Sequence, residues 1–233
     1  MTESTAVILP FWLYWGLIVT VPIVFLLVLR IRGKGEAGET LPAPPNPPAT
    51  GPGILDRFIR AVEFLSTFSG RFVAFWTVIT VGYYSYEVVA RYGFDSPTNW
   101  AHEASFLMFG MMFVACGAYG YLYRSHVRVD AIYVNLPRRW QLVIDIVTWL
   151  LFLVYMIAFI KTSWTFFAQS VDQDLVWFGQ ALDNETSFSE WRVSYIPIKA
   201  LMFLAGILLL LQGVADLIRA VREYRSLEGE AHA

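Results

Sequence analysis

Glu87 and Arg91 come closest, in type and spacing, to a working charge site in this sequence. They stand four positions apart in the acid-before-base order that brings both onto one helical face, and Glu87 lies inside an apolar run over residues 72–90. An ionisable group inside such a run is by default a candidate for moving a proton or an ion. The plainer reading is that the pair anchors a helix end at the membrane surface, and on sequence alone both stay open. A coupling-ion path also needs a broken helix or a chain of intramembrane acids, and neither appears. Asp145, Asp216 and Lys199 each fall within a turn or two of the end of an apolar run, where solvated anchoring is the default.

The other reactive residue types are too dispersed to cooperate. A haem held by two histidines needs both inside facing spans. His102 lies in a loop entering a span, His126 lies in another loop, and His232 lies in the C-terminal tail. Cys116 is the sole cysteine, so neither a disulfide within the chain nor a CxxC motif can form. No span carries His, Cys or carboxylate residues at i, i+3 or i, i+4, and no glycine-rich phosphate loop or GxSxG elbow occurs. The chain reads as a non-enzyme that binds no cofactor or metal of its own.

What must position these residues is a set of membrane helices. Of 233 residues, 57% are hydrophobic and 15% charged, against about a quarter charged in soluble domains. Crossing the hydrocarbon layer takes about 20 apolar residues. Five runs qualify: residues 6–29, 72–90, 104–122, 143–160 and 196–218. A strand crossing lipid has to close into a barrel, whose alternating ten-residue segments are missing. The fold class is therefore an all-α membrane protein, with a four-helix transmembrane body, one extra N-terminal transmembrane helix and an amphipathic interfacial helix.

Charge orders these parts across the membrane. Thirteen of the seventeen Lys and Arg residues fall between spans one and two, between spans three and four, or after span five. The remaining loops carry Asp95, Glu103, Asp172, Asp174, Asp183, Glu185 and Glu190. The positive side is cytoplasmic, which puts the N-terminus outside and the C-terminus inside. Glu3 precedes the first span where a signal peptide would be basic, so that span is expected to stay attached. The resulting divisions are an added helix over 1–33, a cytoplasmic linker over 34–53 rich in proline, an amphipathic helix over 54–71, the body over 72–219, and a tail over 220–233. Within 54–71, Ile54, Leu55, Phe58, Ile59, Val62 and Leu65 share one stripe. It lies on the inner leaflet or it extends span two and packs on another helix; the pattern fits both. Gly117 with Gly120, and Gly206 with Ala205, are places where helices can approach closely.

Three stretches carry a family resemblance. They are YEVVARYGFDSPTNWAHE (86–103), GYLYRSHVRVDAIYVNLPRRW (120–140) and WRVSYIPIKALMFLAGILLLLQGVADLIR (191–219). Together they resemble the small, Q-type (DctQ-like) membrane subunit of tripartite ATP-independent periplasmic (TRAP) transporters. The motif positions are Pro97, Trp100 and Glu103 in an outer loop, His126, Arg128 and Asp130 in an inner loop, and Pro197 with Lys199 opening the last span. Departures are His102 where a second carboxylate is frequent, Tyr195 where the family often places a tryptophan nearby, and the added first span.

The resemblance implies a division of labour. A large multi-span membrane subunit carries the sodium-coupled substrate site, a periplasmic substrate-binding protein captures an organic acid, and the small subunit braces the scaffold in the bacterial inner membrane. Glu87, Arg91 and the motif residues are then candidates for partner contact, as is the acidic loop over 171–195. Membrane lipid is a further partner and nucleic acid is not. The added helix, on its tether, is expected to pack against the large subunit. Two rival classes remain: an anchor subunit of a redox complex, and a free-standing channel or sensor.

Overall fold

The computed structural model describes residues 10–32, 51–125, 133, 135–171 and 186–231. Six helices form among them: α1 (Phe11–Arg32), α2 (Ile54–Gly93), α3 (Ala101–Ala115), α4 (Gly117–Leu122), α5 (Arg138–Val171) and α6 (Ile196–Ala231). The described residues form no strand, and an isolated bridge joins Thr186 to Ser194. The fold is all-α. Four units are long and apolar enough to cross a membrane: α2, α3 with α4, α5 and α6; α1 adds the shorter apolar stretch Leu13–Val24. The third span bends at Cys116, a single turn residue between α3 and α4.

Residues 54–71 do form a helix, but it does not stop before span two. The two are one unbroken helix of 40 residues. At 1.5 Å per residue that is about 60 Å, twice the hydrocarbon thickness, so a good part of α2 projects beyond the bilayer. Part of its apolar stripe is covered by protein: Ile59 and Val62 are buried against Ala215, with Phe58, Leu211 and Ile218 beside them, whereas Ile54, Leu55 and Leu65 are exposed. The helix is thus continuous with span two and packs on α6 through one part of its stripe, with the other part left open.

Helix α6 is the spine, contacting α2, α3, α4 and α5, whereas α5 packs mainly on α6. Glycines set the closest approaches. A Cβ at Gly213 would stand 2.5 Å from the Phe152 ring, one at Gly206 2.9 Å from Phe159, and one at Gly70 2.3 Å from Tyr119. Gly206 does mark a close crossing, while Gly117 makes only ordinary contact with Leu209.

Helix α1 is docked on the body. Tyr14, Ile18, Val73, Trp76, Trp100, Met108 and Trp191 share one buried cluster. Pro22 explains the register: it has no N–H, so the Ile18 carbonyl four residues earlier loses its intrahelical donor. An unsatisfied carbonyl is costly in apolar surroundings. The Trp76 indole fills the vacancy, donating to the Ile18 carbonyl at 2.9 Å, and the Tyr14 hydroxyl donates to the Ala104 carbonyl at 3.0 Å. The packed side of α1 therefore faces its own body, because α2 and α3 supply the donor and acceptor that α1 needs. Its other side, with Leu17, Val24 and Leu27, is exposed. Residues up to 9 and 33–50, which take in most of the linker over 34–53, lie outside the described residues.

Candidate functional site

The motif residues gather mostly at one end of the helix set, where aromatic rings line the packing. Trp100, just before α3, is buried between Tyr83 at 5.9 Å and Trp191 at 6.4 Å between ring centroids. One turn on, Glu103 accepts hydrogen bonds from the Ser189 hydroxyl and from the Tyr195 hydroxyl at 3.1 Å. Tyr195 thus ties the segment before α6 to α3. His102 lies edge-on to Phe106 at 4.7 Å.

Glu87 is buried at the same end, with Arg91 and Thr98 around its carboxylate. One carboxylate oxygen accepts from the Arg91 guanidinium, and the other accepts from both the Thr98 backbone N–H, at 2.9 Å, and the Thr98 hydroxyl. A carboxylate committed to four donors holds a loop onto a helix end. That is the anchoring arrangement. Pro97 sits in the loop so held, and Asp95 turns it with a left-handed φ of 49°, a conformation Asp tolerates better than most residues.

Pro197 and Lys199 lie in the first turn of α6, where proline removes no helical hydrogen bond. Lys199 is buried, donates to the Ser170 hydroxyl of α5, and stands 3.7 Å from the centre of the Phe166 ring. It fastens α6 to α5. His126, Arg128 and Asp130 lie outside the described residues, as does most of the acidic loop, residues 172–185.

The opposite end is held by charge. Asp56 pairs with Arg222 at 2.7 Å, Glu63 pairs with Arg219, and Arg138 grips Glu223 with two hydrogen bonds of 2.7 and 2.8 Å. A cleft of about 290 Å³ lies there between α4, α5 and α6. Arg124, Arg138 and Arg219 line it together with Asp145, Asp216 and Glu223, so its charges balance and it favours neither anion nor cation. Among the described residues no cluster of three or more His, Cys, Asp or Glu is placed to hold a metal.

Several buried polar links leave no mark in the sequence pattern. Ser66 donates to Gln212 at 2.9 Å with both side chains fully buried, and Trp149 donates to the Gly213 carbonyl at 2.8 Å. Pro22 is the one sequence signal for the Trp76 link, since a proline inside a span announces an unpaired carbonyl four residues earlier.

A family model for tripartite ATP-independent periplasmic transporters, DctQ component, matches residues 80–223, which is more than half of the chain. Among curated proteins, none matches.

Proposed function

We propose, on the premise that this chain belongs to the DctQ component family of tripartite ATP-independent periplasmic transporters, that it braces the large membrane subunit of a sodium-coupled importer of organic acids. Membership makes it a transporter component, and its four long apolar helical units fit a small multi-pass membrane subunit. The bracing role is carried by one observation: the two charged side chains most deeply buried among the described residues, Glu87 and Lys199, are bound inside the fold. Glu87 is bound to Arg91 and Thr98, and Lys199 to Ser170. A solute or ion path needs polar groups turned toward a passage, and these are turned toward neighbouring helices.

In this reading the chain is not an enzyme, and sodium is held by the large subunit. The aromatic end faces the periplasm, where the substrate-binding protein docks, and the ion-pair end faces the cytoplasm of a bacterial inner membrane. Arg138, Arg219 and Arg222 at the second end support that orientation by the positive-inside rule. Division of the chain into added helix, linker, α2 extension, body and tail follows the same order.

The test is to tag the chain, extract it from its native membranes in mild detergent, identify what copurifies by mass spectrometry, and record a visible spectrum. A large multi-span partner in a colourless sample is the expected result. A haem band with redox subunits, or a chain that purifies alone, overturns the proposal.

A further inference from the structure

The cleft between α4, α5 and α6 at the ion-pair end has a lining that changes character along its length. On α5, Arg138, Leu142, Asp145, Trp149 and Phe152 recur at intervals of three or four residues, so one helical face supplies the wall from end to end. Residues 146–160 of α5 and 200–215 of α6 carry no charge, and these runs end at Asp145 and Asp216. Both carboxylates therefore stand at the hydrocarbon boundary. On the polar side of them lie Arg138, Arg219 and Glu223, while Thr148, Trp149 and Phe152 reach about 4–10 Å into the hydrocarbon. The cleft thus crosses the boundary, charged at one end and apolar at the other.

A ligand of matching polarity has a charged head and an apolar tail. Its head must carry both signs, because Arg124, Arg138 and Arg219 share the lining with Asp145, Asp216 and Glu223. An anion alone would meet the carboxylates, and a cation alone the arginines. Internal pairing does not exhaust these groups. Arg138 gives two hydrogen bonds to Glu223 and one to Gln141, three of the five N–H donors of a guanidinium. Asp216 Oδ1 is buried, accepts no hydrogen bond from a described residue and stands 3.9 Å from the Arg219 guanidinium. A buried acceptor without a donor is costly, and an N–H brought in by a ligand removes that cost. The space of about 290 Å³ equals about ten water volumes, enough for a phospholipid headgroup and its glycerol.

We infer that this cleft holds the headgroup of a phosphatidylethanolamine, with its phosphate against Arg138, its ammonium on Asp216 and its first acyl carbons along Trp149 and Phe152. A primary ammonium has N–H donors for the carboxylate, whereas a choline headgroup has none and a glycerol headgroup brings no positive charge. Bound there, the lipid ties α5, which packs mainly on α6, to α4 as well. This goes beyond the bracing function and does not depend on it.

The test purifies the tagged chain in mild detergent with whatever partner it retains. It is offered an equimolar mixture of phosphatidylethanolamine, phosphatidylcholine and phosphatidylglycerol, and bound lipids are counted by native mass spectrometry. Phosphatidylethanolamine should be enriched about tenfold over either competitor, the worth of one charge-assisted hydrogen bond. Asp216→Asn should bring it down to the level of phosphatidylcholine. Thr148→Trp, which fills the apolar end from an exposed position, should abolish the enrichment as well. Asp56→Asn, at the same end but outside the cleft, should keep it in full. Unchanged thermal midpoints of the variants in lipid-free detergent separate lost binding from lost folding. No enrichment in the wild type, or full enrichment in both cleft variants, overturns the site. Preference for phosphatidylglycerol overturns it too, since the arginines would then hold an anionic headgroup by themselves. Binding of free phosphoethanolamine as tight as that of the lipid would make the ligand a soluble one and overturn the lipid assignment. None of these results bears on the bracing function, which copurification of the large subunit decides.

Discussion

The two ends of this helix set are closed by different physics. At the aromatic end, Trp100, Trp191, Tyr83 and Tyr14 fill the space between α1, α2 and α3, where Tyr14 and Trp76 donate to backbone carbonyls and Tyr195 donates to Glu103. At the ion-pair end, α6 is fastened to α2 and α5 by arginine–carboxylate pairs, two of them with side chains well exposed to solvent. Desolvated aromatic packing resists salt and pH, whereas exposed ion pairs are weakened by both. The aromatic end should therefore hold the shape of the fold, and the ion-pair end should set which side of the membrane it occupies.

Truncating the aromatic end should do the greatest damage. Trp100→Ala empties a buried site between three elements and should cost about 3–5 kcal/mol, read as a large drop in thermal midpoint in detergent. A loss below about 1 kcal/mol would remove the contrast between the ends.

Trp76→Phe is the sharper probe, since it keeps an aromatic ring and deletes only the N–H that reaches the Ile18 carbonyl. Its expected cost is about 1–3 kcal/mol. In a Pro22→Ala background the restored backbone N–H at position 22 can reach Ile18 itself, so the cost of Trp76→Phe should shrink there. A double-mutant cycle with no coupling would show that Pro22 does not set the register of α1.

Arg138→Ala, by contrast, should cost no more than about 1 kcal/mol, because the Glu223 pair it breaks is nearly half exposed. Raising the salt concentration should shrink even that difference, and should leave the effect of Trp76→Phe where it was.

The smallest effect concerns pH. The hydrogen bond from Arg222 holds the Asp56 carboxyl below the usual carboxylate range. A depressed folded-state pKa adds stability that is complete above the unfolded-state value and is lost as pH falls through the folded-state value. The thermal midpoint should therefore be indifferent to this group from neutral pH down to the ordinary carboxylate range and decline below it. Asp56→Asn should remove part of that acid decline, and an identical acid profile for the variant would dismiss the pair as a contributor.

The same contrast explains what the sequence made legible. Runs without charge, such as 104–122, gave the spans directly, since nothing but a bilayer favours them. On sequence alone the chain divides after Arg71, between an amphipathic helix and span two. In the structure Ser66 bonds to Gln212, and Gly70 makes room for Tyr119, so polar and small residues there are contact devices inside one helix. Docking of α1 was hidden for another reason: that helix is apolar on all sides, and no periodicity says which side is packed. Glu87 with Arg91 and Lys199 were located but the partners Thr98 and Ser170 were not, since they are eleven and 29 residues away and only folding brings them close.

The central claim is that this chain supports transport without forming the path. Its most direct test is uptake of radiolabelled organic acids into proteoliposomes under a sodium gradient. The vesicles would hold this chain alone, the large subunit alone, or both, with the binding protein supplied outside. No uptake is expected from this chain alone, and sodium-driven uptake only when both membrane subunits are present. Uptake by this chain alone, or undiminished uptake in its absence, would contradict it.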